Sequence, residues 1–236
     1  MFAPRTFSAV RFLCVASFAL IASQVAMRPA QASFDATTTY NLNNMELVSI
    51  SHDGTRIDAY AGAFQTTLHD GSGVAVSSPL TTYCVDLAHE LAKDEKVNVT
   101  AISTLAGGNG AYVGSLYANF AAKATSAVNS AALQLAIWKT EYDGPNATNN
   151  CGHFVLLSAP QAVIDQAIFY YENNKLVAND IAYLQTVAGT EGQSLVGPGT
   201  NAVPEPASVA MLGLGLVAGV GGTIRQRRAT RRLTAA

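Results

Sequence analysis

Cys84, in TTYCVDLAHE, and Cys151, in NATNNCGHF, are the side chains of this sequence best suited to covalent chemistry. A thiolate is a nucleophile, and in an oxidising compartment two thiols in one chain are first of all a disulfide candidate. His153 follows Cys151 by two residues, a pairing that a hydrolase can use, but no partnering signature surrounds it and a short glycine-containing loop accounts for both. The third residue of interest is Gln134, set in the apolar run SAALQLAIW. A primary amide without partners in such a setting costs about 1–3 kcal/mol, so Gln134 is hydrogen-bonded, exposed along a narrow stripe, or no longer a glutamine. Two His-Asp-Gly tripeptides, at 52–54 and 69–71, carry metal-ligand types, yet each falls between two strand-like runs, where Asp-Gly is a hairpin signal. No metal and no cofactor is expected.

These residues need elements to hold them. From Ser33 to about Val99 the texture is β-branched and aromatic: TTTYNL, MELVSI, RIDAYAGAFQTTL, GVAVSS and TTYCVDL, with turn residues between. Cys84 therefore belongs to a strand. The glycine-rich AGGNG at 106–110 lacks the Lys-Ser or Lys-Thr of a phosphate-binding loop. After it the period changes to helical. YVGSLYANFAAKATSAV is one helix. SAALQLAIWKTEYDG is a second, with Asn129 or Ser130 as N-cap and Gly144-Pro145 as stop, and a third begins at Pro160. On the second helix Gln134 shares a face with Ala131, Trp138 and Glu141. The polar, glycine-rich residues 189–202 read as a flexible tether.

The composition of the 236-residue chain, 49% hydrophobic and 13% charged, averages segments of different kinds. Residues 1–32 carry Arg5 and Arg11, then FLCVASFALIA, then the small residues Ala30–Ala32, the layout of a secretory signal peptide cut after Ala32. Between residues 33 and 203, six basic residues stand against fifteen acidic ones, which argues against a nucleic-acid partner because phosphate binding needs a basic stripe. From Ala207 to Ile224 no residue is charged, a stretch of roughly 27 Å as a helix and just enough to span a membrane. Arg225, Arg227 and Arg228 follow at once, with Arg231 and Arg232 behind them, and place that end in the cytoplasm.

Pro204, Glu205 and Pro206 stand directly before this span, and the order of motif, apolar glycine-rich helix and arginine cluster over residues 203–236 resembles the PEP-CTERM sorting signal of Gram-negative bacteria. The resemblance implies export, tethering in the inner membrane, processing by an exosortase, and a final place at the cell surface or in an extracellular polysaccharide matrix or biofilm.

YCVDL followed about fifty residues later by LQLAIW is similar to the internal thioester domains of bacterial surface adhesins, in which a cysteine and the glutamine of a Thr-Gln-x-Ala-hydrophobic-Trp helix are joined side chain to side chain. The resemblance assigns the bond to Cys84 and Gln134, with Ala136, Ile137 and Trp138 completing the motif and Trp138 shielding the bond; Leu133 stands where the family has threonine. Such a condensation would expel ammonia and remove the two amide donors that need partners in an apolar helix. A hydrogen-bonded core glutamine and a Cys84–Cys151 disulfide remain open beside it. The expected fold class is α+β: an N-terminal antiparallel β-rich part, then a helical part, spanning residues 33–188, plus a C-terminal single transmembrane helix. The expected function is adhesion or attachment through one covalent event rather than enzymatic turnover, toward an unknown surface or matrix target bearing an amine or hydroxyl, or else a non-covalent role in the matrix with the disulfide.

Overall fold

Alternation fixes the first strand. In β1 (Ser33–Thr39) Phe34, Ala36 and Thr38 are buried and the residues between them are not, the period-two pattern of a sheet with one covered face. A computed structural model describes residues 33–147, 152–178, 180–188 and 192–199. Within them β2 (Met45–His52), β3 (Thr55–Gly62), β4 (Phe64–His69), β5 (Leu80–Cys84) and β6 (Asp94–Ala101) follow β1. Then come α1 (Gly110–Phe120), α2 (Ala127–Asp143), β7 (Phe154–Ser158), α3 (Gln161–Glu172), β8 (Ile181–Thr186) and β9 (Leu195–Pro198).

The chain is β-rich with a few helices. Six strands close into an antiparallel barrel in the order β1-β4-β5-β9-β8-β6, and β3-β2-β7 forms a separate antiparallel sheet. The hairpin between β2 and β3 turns at Asp53-Gly54, both with positive φ, as the sequence predicts for Asp-Gly. Inside the barrel the hydroxyls of Thr38, Thr66 and Thr82 form a ladder across β1, β4 and β5 at 3.1 and 2.9 Å. Each hydroxyl finds a partner where no water would serve it, which is what lets threonine occupy a barrel interior. Gly197 on β9 keeps the barrel narrow, because a Cβ there would stand 3.0 Å from Thr82 Cγ2.

Helix α2 is buried from Ser130 through Trp138 on all sides. It packs on α1, α3, β5 and the β3-β2-β7 sheet, so no face has to be polar. Its cap is Ser126, whose hydroxyl accepts the Asn129 N–H, one turn earlier than expected. Ser130 is used otherwise: its hydroxyl accepts the Ala63 N–H at 2.8 Å.

Three expectations need correction. Strands do not simply precede helices, because β7, β8 and β9 come late and the last two close the barrel. Part of the expected tether, Leu195–Pro198, is barrel strand: Leu195 and Val196 are fully buried between β5 and β8. Burying two large apolar side chains outweighs the flexibility suggested by the glycines around them. GVAVSS forms no strand beyond a single bridge from Ala75 to His69. Among the described residues no helix is long and apolar enough to cross a membrane. The expected signal peptide 1–32, Cys151, and the expected sorting segment with Pro204, Glu205, Pro206, Arg225, Arg227 and Arg228 lie outside them.

Candidate functional site

Strand β4 pairs with β5 only as far as Thr82, which leaves the edge of β5 at Cys84 without a neighbouring strand on that side. Gln134 fills the gap. The Cys84 N–H donates to Gln134 Oε1 at 2.9 Å, and Gln134 Nε2 donates to the Cys84 carbonyl at 2.6 Å. One side-chain amide thus continues the ladder from the middle of a buried helix, and both main-chain groups of Cys84 are satisfied. The presence of a polar residue in SAALQLAIW has this physical reason. On its other edge Cys84 lies opposite Leu195 of β9.

The Cys84 thiol is free and fully buried. Its sulfur donates to the Asp86 carbonyl at 2.8 Å and lies 3.3 Å from the Asp86 N–H, so it is folded into the turn that ends β5. Burial pushes the thiol pKa up to about 12, against the smaller opposing effects of the Asp86 main chain and the Trp138 indole, and the charges of Asp86 and Glu95 add to the rise. An uncondensed Cys84 is thereby held as the neutral thiol rather than the thiolate. Trp138, 3% exposed, is near enough to act on this thiol and packs on Phe154; its indole N–H is buried and has no hydrogen-bond partner of good geometry. Tyr142 locks the helix to the cysteine segment, since its hydroxyl accepts the Leu87 N–H at 2.9 Å and donates to the Val85 carbonyl at 3.4 Å.

Cys84 is therefore brought together in one buried site with Gln134 and Trp138, fifty and more residues further along the chain. His153 is elsewhere: its Nδ1 pairs with Asp53 at 2.6 Å on an exposed hairpin end, and its N–H meets the Asp143 carboxylate, which also holds Lys139. Among the described residues no group of three or more His, Cys, Asp and Glu side chains could hold a metal ion.

Sequence reasoning passed over two acids whose charges act on the sulfur, Asp86 and Glu95; Glu141, which it placed on the Gln134 face, is half-buried, with Oε2 buried and without a hydrogen-bond partner. Glu95 looks like part of a solvated charge run, KDEK, yet it is 5% exposed, beside Gly192 and Thr186. The period-two pattern of β6, which puts Glu95 on the same face as the buried Val97, is the signal that could have found it. Its carboxylate lies so close to Gly192 that no Cβ fits there, and neither oxygen has a hydrogen bond of good geometry; the Thr186 hydroxyl is the polar group that acts on it.

Burial pushes Glu95 up to about 7. A folded-state value above the unfolded one means that the folded chain binds more protons, so stability falls as pH rises from about 4.5 to about 7, by about 3 kcal/mol at most. Glu95→Gln removes this titration. The variant should gain about 1–3 kcal/mol on wild type at pH 8 relative to pH 4.5, read from denaturant midpoints at both values. Parallel curves would show that Glu95 is solvated.

Residues 202–228 match the PEP-CTERM protein-sorting motif. The chain is accordingly an exported protein, anchored in a membrane before processing and sorted by an exosortase. The match covers the tail alone; no curated protein and no solved structure matches the chain.

Proposed function

We propose that this exported protein attaches covalently to a partner at the cell surface or in the extracellular matrix, through a thioester between Cys84 and Gln134. The observation that carries the proposal is the pairing itself: the one cysteine and the one glutamine of the resembled motif, fifty residues apart, meet in the core, with Trp138 beside the thiol. The Cys84 sulfur attacks the Gln134 amide carbon, ammonia leaves, and the neutral acyl-sulfur that results pays none of the desolvation cost of a thiolate. The indole and the core exclude water from it until an amine arrives. The amine then takes the acyl carbon, and Cys84 leaves with a proton. Nothing turns over.

A second reading rests on the same two hydrogen bonds. An intact Gln134 that only completes the ladder at Cys84 would make the domain a non-covalent matrix component. Methylamine separates the two. Under the thioester reading it adds to Gln134 of the wild-type protein and releases one maleimide-reactive thiol at Cys84, while Cys84→Ala and Gln134→Ala take up none. An unreactive wild type would favour the second reading.

A further inference from the structure

Among the large apolar side chains exposed on the described residues, Ile168, Phe169, Leu176 and Val177 fall within one short stretch of chain. The first two lie near the end of α3, and the others on the segment that leads from it toward β8. Helix α1 gathers them. Phe120 meets Phe169 edge-on with ring centroids 6.3 Å apart, its neighbour Asn119 donates to the Lys175 carbonyl at 2.9 Å, and the Ser115 hydroxyl accepts the Val177 N–H at 3.1 Å. Single apolar side chains on a surface are ordinary, whereas a cluster of them marks a contact. This cluster stands beside the place where the chain leaves the barrel. Asp180 directly precedes β8, and its carbonyl lies so close to Gly199, the residue after β9, that no Cβ fits there; Ile181 and Pro198 pair across the two strands. From Gly199 to Ala207, where the uncharged run of the tail begins, is eight positions, at most about 29 Å of extended chain. A chain anchored through its sorting segment therefore keeps this face within reach of the bilayer.

We infer that this face is a membrane-contact surface: while the chain is anchored, Ile168, Phe169, Leu176 and Val177 enter the interfacial layer of the bilayer that holds the tail. The attraction is apolar. Lys123, whose Nζ stands 5.8 Å from the Phe120 ring centroid, and Lys175 border the cluster, but Glu172 and Asp180 do so as well, and the charges offset one another. Four half-exposed side chains bury too little area to hold a free protein on a membrane. The covalent link to the tail makes the contact by raising its effective concentration, so processing that removes the tail also frees the face. The contact orients the barrel. Strand β9 runs from Leu195, next to Cys84, to Pro198, next to Ile181, so a barrel resting on its Pro198 end carries Cys84 and Gln134 toward the end turned from the bilayer.

Trp138 is the only tryptophan of the chain and is buried, so an added tryptophan can be read above a constant background. The full chain with Phe169→Trp, or with Leu176→Trp as a second reporter outside any helix, is reconstituted into phosphatidylcholine vesicles whose acyl chains are brominated near the headgroup end, and flotation establishes that it is anchored. Bromine quenches an indole only at close range. Emission from either reporter should fall at least about twofold against unbrominated vesicles, because an interfacial side chain sits about 5–10 Å into the headgroup–acyl boundary. Wild type and Leu47→Trp, an exposed position on β2, should change little. High salt should leave the quenching in place, whereas Ile168→Asp with Leu176→Asp in the Phe169→Trp chain should remove most of it. Reporters quenched no more than Leu47→Trp, as they would be under a second copy of the chain, would overturn the inference. So would quenching that is lost in salt or survives the two aspartates, or a chain that does not float with the vesicles.

Discussion

Cys84→Ala should unfold about 5 kcal/mol more easily than the parent protein, far more than one buried thiol accounts for. The side chain itself contributes on the order of 1 kcal/mol, the transfer of a single small apolar group, because in this variant the Gln134 amide is left whole and holds the main chain of residue 84 through both hydrogen bonds. The rest is chain entropy. A bond between residues fifty apart closes a loop, and the loop-closure relation used for disulfides assigns such a loop about 4 kcal/mol. Methylamine cuts the same cross-link without removing an atom of Cys84, so treated wild type should fall to nearly the stability of Cys84→Ala. Gln134→Ala should fall lower still, by about 2–4 kcal/mol more, since it also leaves the Cys84 N–H and carbonyl unpaired in the core. Denaturant midpoints decide this. A loss of about 1 kcal/mol for Cys84→Ala would mean that no cross-link exists.

What could be read from the sequence was local. β-branched and aromatic runs marked β1 to β5, and Asp53-Gly54 announced its hairpin, because both signals depend on neighbouring residues alone. The apolar run around Gln134 announced a buried helix for the same reason. Barrel closure was not legible: β9 is four residues long and is held by pairing with β5, more than a hundred positions earlier, which no window of sequence contains. The tethers of polar composition and the strand of Leu195 and Val196 differ only in what the rest of the chain offers them to pack on. The site was legible in part. Cys84, Gln134 and Trp138 are marked by type and spacing, whereas Asp86 and Glu95 resemble ordinary surface acids until the fold brings their charges to bear on one sulfur.

The central claim is a covalent bond, and the intact mass of the mature exported protein tests it most directly. With Cys84 and Gln134 joined, the wild type must weigh less than its sequence by one ammonia, about 17 Da, because the amide nitrogen leaves as the acyl carbon passes to sulfur. The deficit must vanish in Cys84→Ala and in Gln134→Ala, each lacking one half of the bond. A lysine–asparagine isopeptide gives the same deficit but would keep it in both variants, so the three masses together identify the bond. The account predicts a light wild type beside two variants at full mass; a wild type at full mass, folded and unreactive, would contradict it and leave Gln134 as the hydrogen-bonded core residue that completes the ladder at Cys84.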